Sequence, residues 1–467
     1  MQLSTSEIAA LLGSDDRPAP AIARGGSIDS RSIRPGEVFF AIRGPRFDGH
    51  NFVGQALEAG AVAAVVQKGF LPMGPEWLPA LIGVPDTTRA LQQLAGAVRD
   101  RWTGRVVGIT GSAGKTTVKE MVAAVLERRF RVLKSAGNLN NHYGVPLTLL
   151  GLDPEIEVAV LELAMSAPGE IRFLSRMAGP QTGLITNVAA AHLEFFDSID
   201  SIARAKRELI ENLRPPPAAI LNNDDERVRR FAEGFSGQVV TYGFSEGSDF
   251  RAVAQRAVSV TGSAIRGAEF EVQSPTFSAC FTIPLAGRHN VENALAAIAT
   301  GSLFEVAPSE IGTALASLRL PAQRMEVLKL PGEITVVNDS YNSNPRAIER
   351  MIETLASWPA GRRIVVAGEM LELGRSSPSL HRRIGRECAH AGIDWLIAVK
   401  GDAKFFIEGA REAGLAAERT AFFVDAREAG RFCRALLRPG DVILVKGSRA
   451  VRLEDAIDEL RREPAAP

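Results

Sequence analysis

The sequence predicts an α/β protein with three domains, and two observations support this fold class. At 467 residues the chain is too long for one ordinary core, and its length suggests about three domains. Short apolar strands alternate with helical segments through most of the chain, a rhythm typical of parallel sheets covered by helices. We expect the domains to span residues 1–101, 102–317 and 318–467.

The first block contains two strand candidates, residues 38–42 and 61–66, separated by turns rich in Gly and Pro. The first eight residues lack the basic and apolar regions of an export signal and predict a capped amphipathic helix. No apolar run of about 18 residues occurs, so we expect no membrane span.

Charge and cysteine content exclude several classes of protein. Lys+Arg and Asp+Glu both total 54, so the net charge does not favour nucleic acid or an anionic membrane. The three cysteines are widely spaced, which argues against a disulfide framework or a zinc knuckle and suits a cytoplasmic protein.

The second block opens with a phosphate-binding pattern. Residues 105–109 predict a buried strand, residues 118–129 a helix, and residues 108–117 between them read GITGSAGKTT. Such a loop turns backbone N–H groups and a helix N-terminus toward phosphates; Lys115 would reach the β and γ phosphates, and Thr116 or Thr117 would hold Mg²⁺. Ile109 replaces the first glycine of the standard motif, so the alternative is a glycine-rich turn with an incidental lysine.

Strands predicted at residues 158–161, 183–186 and 219–221 continue this block. Glu162 and His192 follow two of them, and Mg²⁺ prefers the oxygen ligand. Their alternatives are a solvated strand-end carboxylate and a hydrogen-bonded loop histidine.

Further along, residues 269–283 predict an antiparallel subsheet, and a helix follows from Asn290 to about Thr300. Asn290 would cap this helix or bind an adenine edge. Lys206 lies in a charged helix, residues 201–209, where the residues alone favour a solvated face.

The third block repeats the alternation of strands and helices. Its strands are predicted at residues 334–337, 364–367, 395–399, 421–424 and 442–445. Ligands of open α/β sheets bind at the carboxyl ends of strands. Residues 339–345 occupy such a position, and they are either an Asx-type turn that begins a helix near Pro345 or part of a site.

Taken in order, the motifs resemble those of the Mur ligases, the ATP-dependent amide-forming enzymes of peptidoglycan precursor synthesis. The motifs that carry the resemblance are residues 29–31, 36–41, 48–50, 110–117, 187–192, 288–290 and 323–326. The family has its own form of the phosphate loop, which explains Ile109. The resemblance implies a small α/β N-terminal domain, a central P-loop parallel-sheet ATPase domain and a C-terminal Rossmann-like domain.

Two stretches, residues 137–146 and 338–345, are most similar to the family member that adds D-alanyl-D-alanine to UDP-N-acetylmuramoyl-tripeptide. The member that adds the third amino acid usually has Tyr-Ala-His after the aspartate and an Asp-Asn-Pro motif, neither of which is evident here. One departure is Ala164, where many relatives have glycine. The resemblance implies ATP and Mg²⁺ as cofactors and these two substrates. The balanced charge predicts no nucleic-acid partner, and the oligomeric state stays open with a monomer as the default.

The resemblance also implies roles for individual residues. The ATP phosphates would be bound by Gly111, Ser112, Ala113, Gly114, Lys115, Thr116, Thr117 and Arg324, adenine by Asn290, and ribose by Asp339. Metal binding and catalysis would involve Thr116, Glu162, His192 and Lys206, the last carbamylated by CO₂, together with catalytic Lys115. Substrate would be bound by Ser30, Arg31, Asp48, Gly49, His50, Asn138, Asn141, Tyr341 and Asn344. Because Arg324 and Asp339 lie outside the phosphate-loop block, we expect the C-terminal domain to close on ATP.

Two competing functions remain to be weighed. A P-loop switch or motor would need a Walker-type aspartate and an arginine finger, but Glu162 ends the strand and no finger is evident. A folyl-polyglutamate type ligase would have no use for the region of Ser30 and Arg31. The dipeptide site stays open, with Glu369, Glu372, Lys446 and Arg449 as candidates at strand ends.

Overall fold

The computed structural model describes residues 1–191, 193–259 and 266–462. Three larger sheets lie within residues 26–84, 105–283 and 326–446, and we call the units around them the N-terminal, middle and C-terminal domains. This α/β architecture agrees with the fold class that the sequence predicts.

The N-terminal domain is a small parallel sheet beside a two-stranded antiparallel one. Its strands are β1 (Leu3–Ser4), β2 (Ile22–Ala23), β3 (Gly26–Ser27), β4 (Val38–Phe40), β5 (Ala63–Gln67) and β6 (Leu81–Val84). Its helices are α1 (Thr5–Leu11), α2 (Val53–Glu58) and α3 (Thr87–Arg101). The parallel strands follow the order β3-β4-β5-β6. Ser4 and Glu7 form a capping box, so the predicted capped helix is present as α1.

The middle domain contains a nine-stranded sheet. Its strands are β7 (Arg105–Thr110), β8 (Val132–Lys134), β9 (Val158–Glu162), β10 (Thr182–Ile185), β11 (Ala218–Asn222), β12 (Gln238–Gly243), β13 (Phe250–Ser259), β14 (Arg266–Gln273) and β15 (Ser278–Ile283). Its helices are α4 (Lys115–Leu126), α5 (Gly144–Leu149), α6 (Glu170–Ala178), α7 (Ile199–Glu211), α8 (Glu226–Arg229), α9 (Arg288–Leu303) and α10 (Pro308–Ala316).

The strand order of this sheet reverses direction at β7, which is where open α/β sheets bind ligands. The order is β8-β9-β7-β10-β11-β12-β13-β14-β15, so the chain goes from β7 to one side for β8 and β9 and then to the other side for β10. Such a reversal opens a crevice at the carboxyl ends of the strands. All pairs from β8 to β13 are parallel, and β14 and β15 are antiparallel, as predicted for residues 269–283.

The C-terminal domain is a second doubly wound unit. Its strands are β16 (Glu326–Leu330), β17 (Ile334–Asn338), β18 (Arg363–Gly368), β19 (Trp395–Val399), β20 (Thr420–Phe423) and β21 (Val442–Lys446). Its helices are α11 (Pro345–Ala356), α12 (Ser377–His390), α13 (Lys404–Glu412), α14 (Ala426–Leu436) and α15 (Glu454–Arg461). The order is β16-β17-β21-β18-β19-β20, with β16 antiparallel to β17.

Two helix starts differ from the sequence predictions. α4 begins at Lys115 instead of Val118, directly after the loop glycine. α9 begins at Arg288, so the prediction that Asn290 caps this helix is wrong. Gly287, with φ of 95°, takes the cap position because its backbone conformation lets the chain turn into the helix without help from a side chain.

The middle and C-terminal domains share one apolar core. It runs from Ile109 of β7 and Leu295 of α9 to Val337 of β17 and Ile348 of α11, all of which are buried. In the part of the chain that the structure describes, no helix has the length and apolar character that crossing a membrane requires.

Candidate active site

The loop after β7 needs glycine because its neighbours approach its backbone closely. A Cβ on Gly111 would lie 1.8 Å from the hydroxyl oxygen of Thr186, and one on Gly114 would lie 2.6 Å from the side-chain oxygen of Asn293. Gly114 also has φ of 82°, a conformation that favours glycine. The loop is therefore enclosed by the end of β10 and the first turns of α9.

Residues that follow β10 hold the loop in place. Asn187 accepts a hydrogen bond from the Ala113 N–H at 2.9 Å and donates one to the Ala113 carbonyl at 3.0 Å. The Thr186 hydroxyl donates to the same carbonyl at 2.6 Å. A loop fixed in this way needs little rearrangement to bind phosphates. Asn187 belongs to a motif that sequence analysis recognised without giving the residue a role; its position directly after a parallel strand is the signal.

Lys115, the first residue of α4, folds back over the loop. Its ammonium donates to the carbonyl of Gly111 at 2.8 Å. Burial lowers the pKa of Lys115, nearby Glu162 opposes this shift, and Arg324 adds to it. A partly desolvated ammonium at this position attracts an anion such as a polyphosphate.

Glu162 and Thr116 place oxygen atoms beside the phosphate loop. The Thr116 hydroxyl donates to Oε2 of Glu162 at 2.8 Å, and the Asn140 amide donates to Oε1 at 2.8 Å. Glu162 is buried, so its interpretation as a solvated strand-end carboxylate is wrong. Asn140, which lies between the predicted Asn138 and Asn141, is a site residue that sequence analysis missed.

These oxygen atoms fit a magnesium ion. Mg²⁺ usually takes one or two carboxylates together with substrate phosphates, and a threonine hydroxyl beside a phosphate loop is a common further ligand. Within the described ranges, no group of three or more His, Cys, Asp and Glu side chains is arranged to hold a metal ion. His192, the predicted second metal ligand, lies outside the described residues.

Lys206 lies on the buried face of α7, so the prediction of a solvated face is wrong. Only 2% of its surface is exposed, and the neighbouring turns of the helix bury Ile202 and Leu209. Burial lowers the pKa of Lys206 well below its usual value, and Lys115 lowers it further. The positive charge of Lys115 at the phosphate loop thus acts on Lys206 and disfavours its ammonium form.

The C-terminal domain brings polar groups to the same loop. The Asn344 amide donates to the carbonyl of Ser112 at 3.2 Å, while its side-chain oxygen caps α11 by accepting from the Ala347 N–H at 2.9 Å. The guanidinium of Arg324 lies over the ring of Tyr341, 4.2 Å from its centroid. The predicted turn at residues 339–345 therefore both begins a helix and reaches the site.

Asp339, the predicted ribose ligand, is paired within its own domain. Lys446 donates to its Oδ2 at 2.5 Å, and the Met325 N–H donates to Oδ1 at 3.2 Å. Lys446, a candidate for the dipeptide site, forms this ion pair and also donates a hydrogen bond to the carbonyl of Asn342 at 3.0 Å.

Asn290, the predicted adenine ligand, is buried with its amide engaged. It donates to the carbonyl of Ala286 at 2.7 Å and accepts from the amide of Asn293 at 3.3 Å. Asn293, one turn later on α9, is the residue that lies against Gly114. Asn293 was not among the predicted site residues, although its spacing of three residues from Asn290 places both on one face of the helix.

The predicted UDP-sugar residues form two clusters in the N-terminal domain. In the first, the Ser30 hydroxyl donates to the Gln55 side-chain oxygen at 2.9 Å. Exposed Arg31 makes two side-chain hydrogen bonds to Asp29, at 2.9 and 2.7 Å, and holds the pKa of that carboxyl at about 2. Arg31 is therefore the cation that this cluster presents to solvent.

The second cluster has a clear structural role. His50 is buried; its Nε2 accepts from the Gln67 N–H at 2.9 Å, and its Nδ1 lies 2.6 Å from Oδ1 of Asp48. Asp48 also accepts from the His50 N–H at 3.0 Å, and this bond, together with those to the His50 ring and Arg43, lowers the pKa of the Asp48 carboxyl to about 2. Gly49 packs so closely that a Cβ would lie 2.7 Å from the backbone nitrogen of Ile42.

Asn138, Asn141, Glu369 and Arg449 make their described contacts away from the phosphate loop, whereas the charge of Glu372 acts on Lys115. Asn141 accepts from the Gly144 N–H at 3.0 Å at the start of α5, and Asn138 is exposed. Of the dipeptide candidates, Glu369 accepts from the Asp402 N–H at 2.9 Å, and Arg449 donates to Gln323 at 2.8 Å.

Comparison with protein families assigns all three domains to one lineage. Residues 24–99 match the family described as Mur ligase family, catalytic domain; residues 109–301 match Mur ligase middle domain; and residues 323–449 match Mur ligase, glutamate ligase domain. The chain is 36% identical to the UDP-N-acetylmuramoyl-tripeptide--D-alanyl-D-alanine ligase of Bacillus subtilis, over 95% of this chain and 94% of that protein. The chain belongs to the Mur ligase family.

Other similar proteins and solved structures support the same family assignment. The enzyme of the same name from Escherichia coli is 36% identical over 99% of both chains. Crystal structure I of MurF from Acinetobacter baumannii has a TM-score of 0.87 at 31% identity and covers 99% of both chains. MurF from Thermotoga maritima, solved in complex with ADP, has a TM-score of 0.80 at 28% identity and covers 94% of this chain and 97% of that one. The three-domain α/β prediction is confirmed.

Proposed function

We propose that this Mur ligase uses ATP to join D-alanyl-D-alanine to UDP-N-acetylmuramoyl-tripeptide during peptidoglycan precursor synthesis. The observation that carries this function is the match over nearly the whole chain to ligases of that name, at 36% identity in two species. The enclosed phosphate loop, with Lys115, Thr116 and Glu162 beside it, supports the use of ATP. We place the reaction in the cytoplasm, where ATP is available, and we expect a monomer.

In the first step, the carboxylate of the tripeptide attacks the γ-phosphorus of ATP, and an acyl phosphate and ADP form. Both reactants are anions, so positive charge must offset their repulsion and hold them in line. Lys115 supplies this charge, and rotation of its side chain away from the Gly111 carbonyl would bring the ammonium to the phosphates.

We assign Mg²⁺ to the oxygen atoms of Thr116 and Glu162. When bound, Mg²⁺ would neutralise phosphate charge and align the reacting groups. The side chains already lie 2.8 Å apart, and Asn140 fixes the second oxygen of the carboxylate. His192 and Lys206 are our candidates for a second metal ion.

We further propose that Lys206 is carbamylated. A buried ammonium beside a second lysine is costly, because both desolvation and like charge oppose it. After the ammonium has lost a proton, the neutral amine forms an N–C bond with CO₂ and releases a second proton to solvent. The product is a carbamate anion, whose two oxygen atoms would be available for metal binding. The carbamate would then attract Lys115 instead of repelling it.

In the second step, the amine of D-alanyl-D-alanine attacks the acyl carbon, and the tetrahedral intermediate expels phosphate. The acyl phosphate must be shielded from water and held close to the amine until this attack. The contact from Asn344 to Ser112 shows the C-terminal domain already touching the phosphate loop. We propose that nucleotide strengthens this closure and that Arg324, beside Tyr341, then reaches the phosphates.

For the nucleotide sugar we propose the N-terminal domain. Arg31 offers an exposed guanidinium suited to a diphosphate, and Ser30 lies beside it in sequence. Asp48 and His50 would act indirectly, because their hydrogen bonds shape the loop instead of facing outward.

The test is a phosphate-release assay with ATP, Mg²⁺, UDP-N-acetylmuramoyl-tripeptide and D-alanyl-D-alanine. We expect release only when both cosubstrates are present, and none when L-alanyl-L-alanine replaces the D-dipeptide. Phosphate release that does not depend on D-alanyl-D-alanine would overturn the proposed function.

A further inference from the structure

A lysine without any exposed surface lies one turn beyond Thr116 on α4. The ammonium of Lys119 donates to the carbonyl of Ser135 at 2.6 Å and lies 2.9 Å from Oε1 of Glu120. Burial of an ammonium costs free energy unless the group is both paired and hydrogen-bonded. Lys119 therefore restrains the positions of Ser135 and Glu120. The proposed reaction uses Lys119 in no step.

Ser135 connects this lysine to Glu162. The Ser135 hydroxyl accepts from the backbone N–H of Glu162 at 3.2 Å, and the Ser135 N–H donates to the carbonyl of Val160 at 3.1 Å. Ser135 is itself fully buried. The carbonyl that Lys119 holds and the hydroxyl that Glu162 contacts thus belong to one residue.

Ser135 begins a supporting segment, residues 135–140, that contacts Glu162 twice. At its other end the Asn140 amide donates to Oε1 of Glu162 at 2.8 Å, and the Asn140 carbonyl accepts from the Ala164 N–H at 2.9 Å. One end of the segment therefore fixes the backbone of Glu162 and the other fixes its carboxylate. A shift of the segment would therefore disturb both contacts to Glu162, whose carboxylate accepts the hydrogen bond from Thr116.

We propose that Lys119 is a positioning residue for Glu162: by anchoring the supporting segment, it sets the orientation in which the carboxylate binds the divalent cation of the nucleotide complex. Helix α4 would then control Glu162 by two routes, directly through Thr116 and indirectly through Lys119 and Ser135. Groups that orient a metal ligand commonly change metal affinity about 10- to 100-fold when they are removed. The inference rests on the proposed function only for the assignment of a cation to Glu162.

The test measures cation binding without turnover. Lys119→Met keeps the unbranched side chain as far as Cε and removes the ammonium with its charge and hydrogen bonds. With ADP bound, we expect Lys119→Met to raise the Kd of Mn²⁺, followed by electron paramagnetic resonance, about tenfold or more. The affinity for ADP without metal should change by less than about threefold, because the described contacts of the Lys119 ammonium go to Ser135 and Glu120 and not to the phosphate loop.

The matched control is Lys134→Met. Lys134 is the second cation on Glu120, with its ammonium 2.7 Å from Oε2, but it is half-exposed and makes no described hydrogen bond to Ser135. We expect this variant to change Mn²⁺ affinity by less than about threefold. An equal loss in both variants would overturn the proposal, because it would reflect general loosening around Glu120.

Ser135→Ala covers the case in which Lys119→Met does not fold. This change keeps the carbonyl that Lys119 binds and removes only the hydroxyl that accepts from Glu162, and we expect about a threefold or greater loss of Mn²⁺ affinity. Lowered thermal stability with unchanged Mn²⁺ affinity would make Lys119 an anchor for β8 alone and overturn the inference. Failure of the proposed function would appear separately, as phosphate release by the unmodified chain without D-alanyl-D-alanine.

Discussion

Arg346 of α11 and Asp225 of the middle domain form an ion pair across the domain boundary, with 3.0 Å between Nη1 and Oδ2. Only 6% of the Asp225 side chain and 24% of the Arg346 side chain are exposed. Asp225 also accepts from the Val188 N–H at 2.9 Å, close to the residues that hold the phosphate loop. One turn along α11, Arg350 pairs with Glu292 at 3.4 Å. The same face of α11 therefore holds the two domains together at two points.

We expect Arg346→Met to weaken domain closure. The change leaves the buried carboxylate of Asp225 without its guanidinium, which costs roughly 2 kcal/mol or more where a pair is mostly desolvated. The thermal midpoint should fall, and the radius of gyration from small-angle scattering should rise in the absence of nucleotide. Arg383→Met is the control, since the pair of Arg383 with Glu349 lies within the C-terminal domain and is more exposed. Equal behaviour of the two variants would contradict a role for Arg346 in closure.

We expect Gly111→Ala to abolish nucleotide binding while the fold is retained. The added Cβ would lie 1.8 Å from the Thr186 hydroxyl oxygen, so the loop must move away from the residues that hold it. Isothermal titration with ADP should show at least about a hundredfold loss, close to 3 kcal/mol. Gly96→Ala is the control: it lies in α3 with open space around it, and it should be neutral or slightly stabilising. Adding Thr186→Ala should restore part of the binding; if Gly111→Ala alone bound ADP normally, the loop would not be the nucleotide site.

We expect Lys206→Ala to lose most of its activity and to regain part of it with a short carboxylic acid such as acetate. The acid would occupy the space of the proposed carbamate and replace its oxygen atoms. Arg204→Ala is the matched control, because Arg204 lies on the exposed face of the same helix. Full activity of Lys206→Ala without acetate would remove Lys206 from the catalytic machinery, and a ¹³C carbamate signal in the unmodified protein after incubation with ¹³CO₂ would support the modification directly.

The sequence predicted the elements of this fold well because its buried strands are continuous apolar runs, such as β9 and β21, that end at polar residues. The sequence was less informative about side chains whose burial and partners depend on tertiary contacts. The charged neighbours of Lys206 indicate a solvated helix, and only the packing of α7 against the sheet shows that this lysine is buried. Asparagine is a common helix N-cap, so Asn290 was expected to cap α9. In the structure Gly287 takes the cap position three residues earlier.

Hydrogen bonds between residues far apart in the sequence could not be predicted either. The bond from Asn344 to Ser112 joins residues 232 positions apart, and no local pattern indicates it. The same applies to the bond from the Glu162 N–H to the Ser135 hydroxyl, because it depends on β8 lying next to β9 in the sheet. The family resemblance named residues that would touch ligands, whereas the residues that hold those in place, such as Asn187, emerged only from the structure.

Acidification should weaken the contact between the middle and C-terminal domains through His289. Burial lowers the pKa of His289 to about 4, from the 6.5 of an exposed histidine, and nearby Asp339 opposes the shift only partly. Because the folded pKa is the lower one, the unfolded chain binds more protons between pH 4 and 6.5, so this contribution to stability is complete above 6.5 and is lost as the pH falls toward 4. Between pH 7 and 5 the loss would be at most about 2 kcal/mol.

The measurement is the difference in thermal midpoint between pH 7 and pH 5. His289→Gln keeps a polar side chain of similar size that does not titrate, so this difference should shrink in the variant. His390→Gln, at the exposed end of α12, should leave the difference unchanged. If His289→Gln were as sensitive to acid as the unmodified chain, other groups would account for the loss. Since His289 lies at the start of α9 in a cleft that is also lined by Arg350 and Trp358 of the C-terminal domain, its titration would report on domain contact and not on unfolding alone.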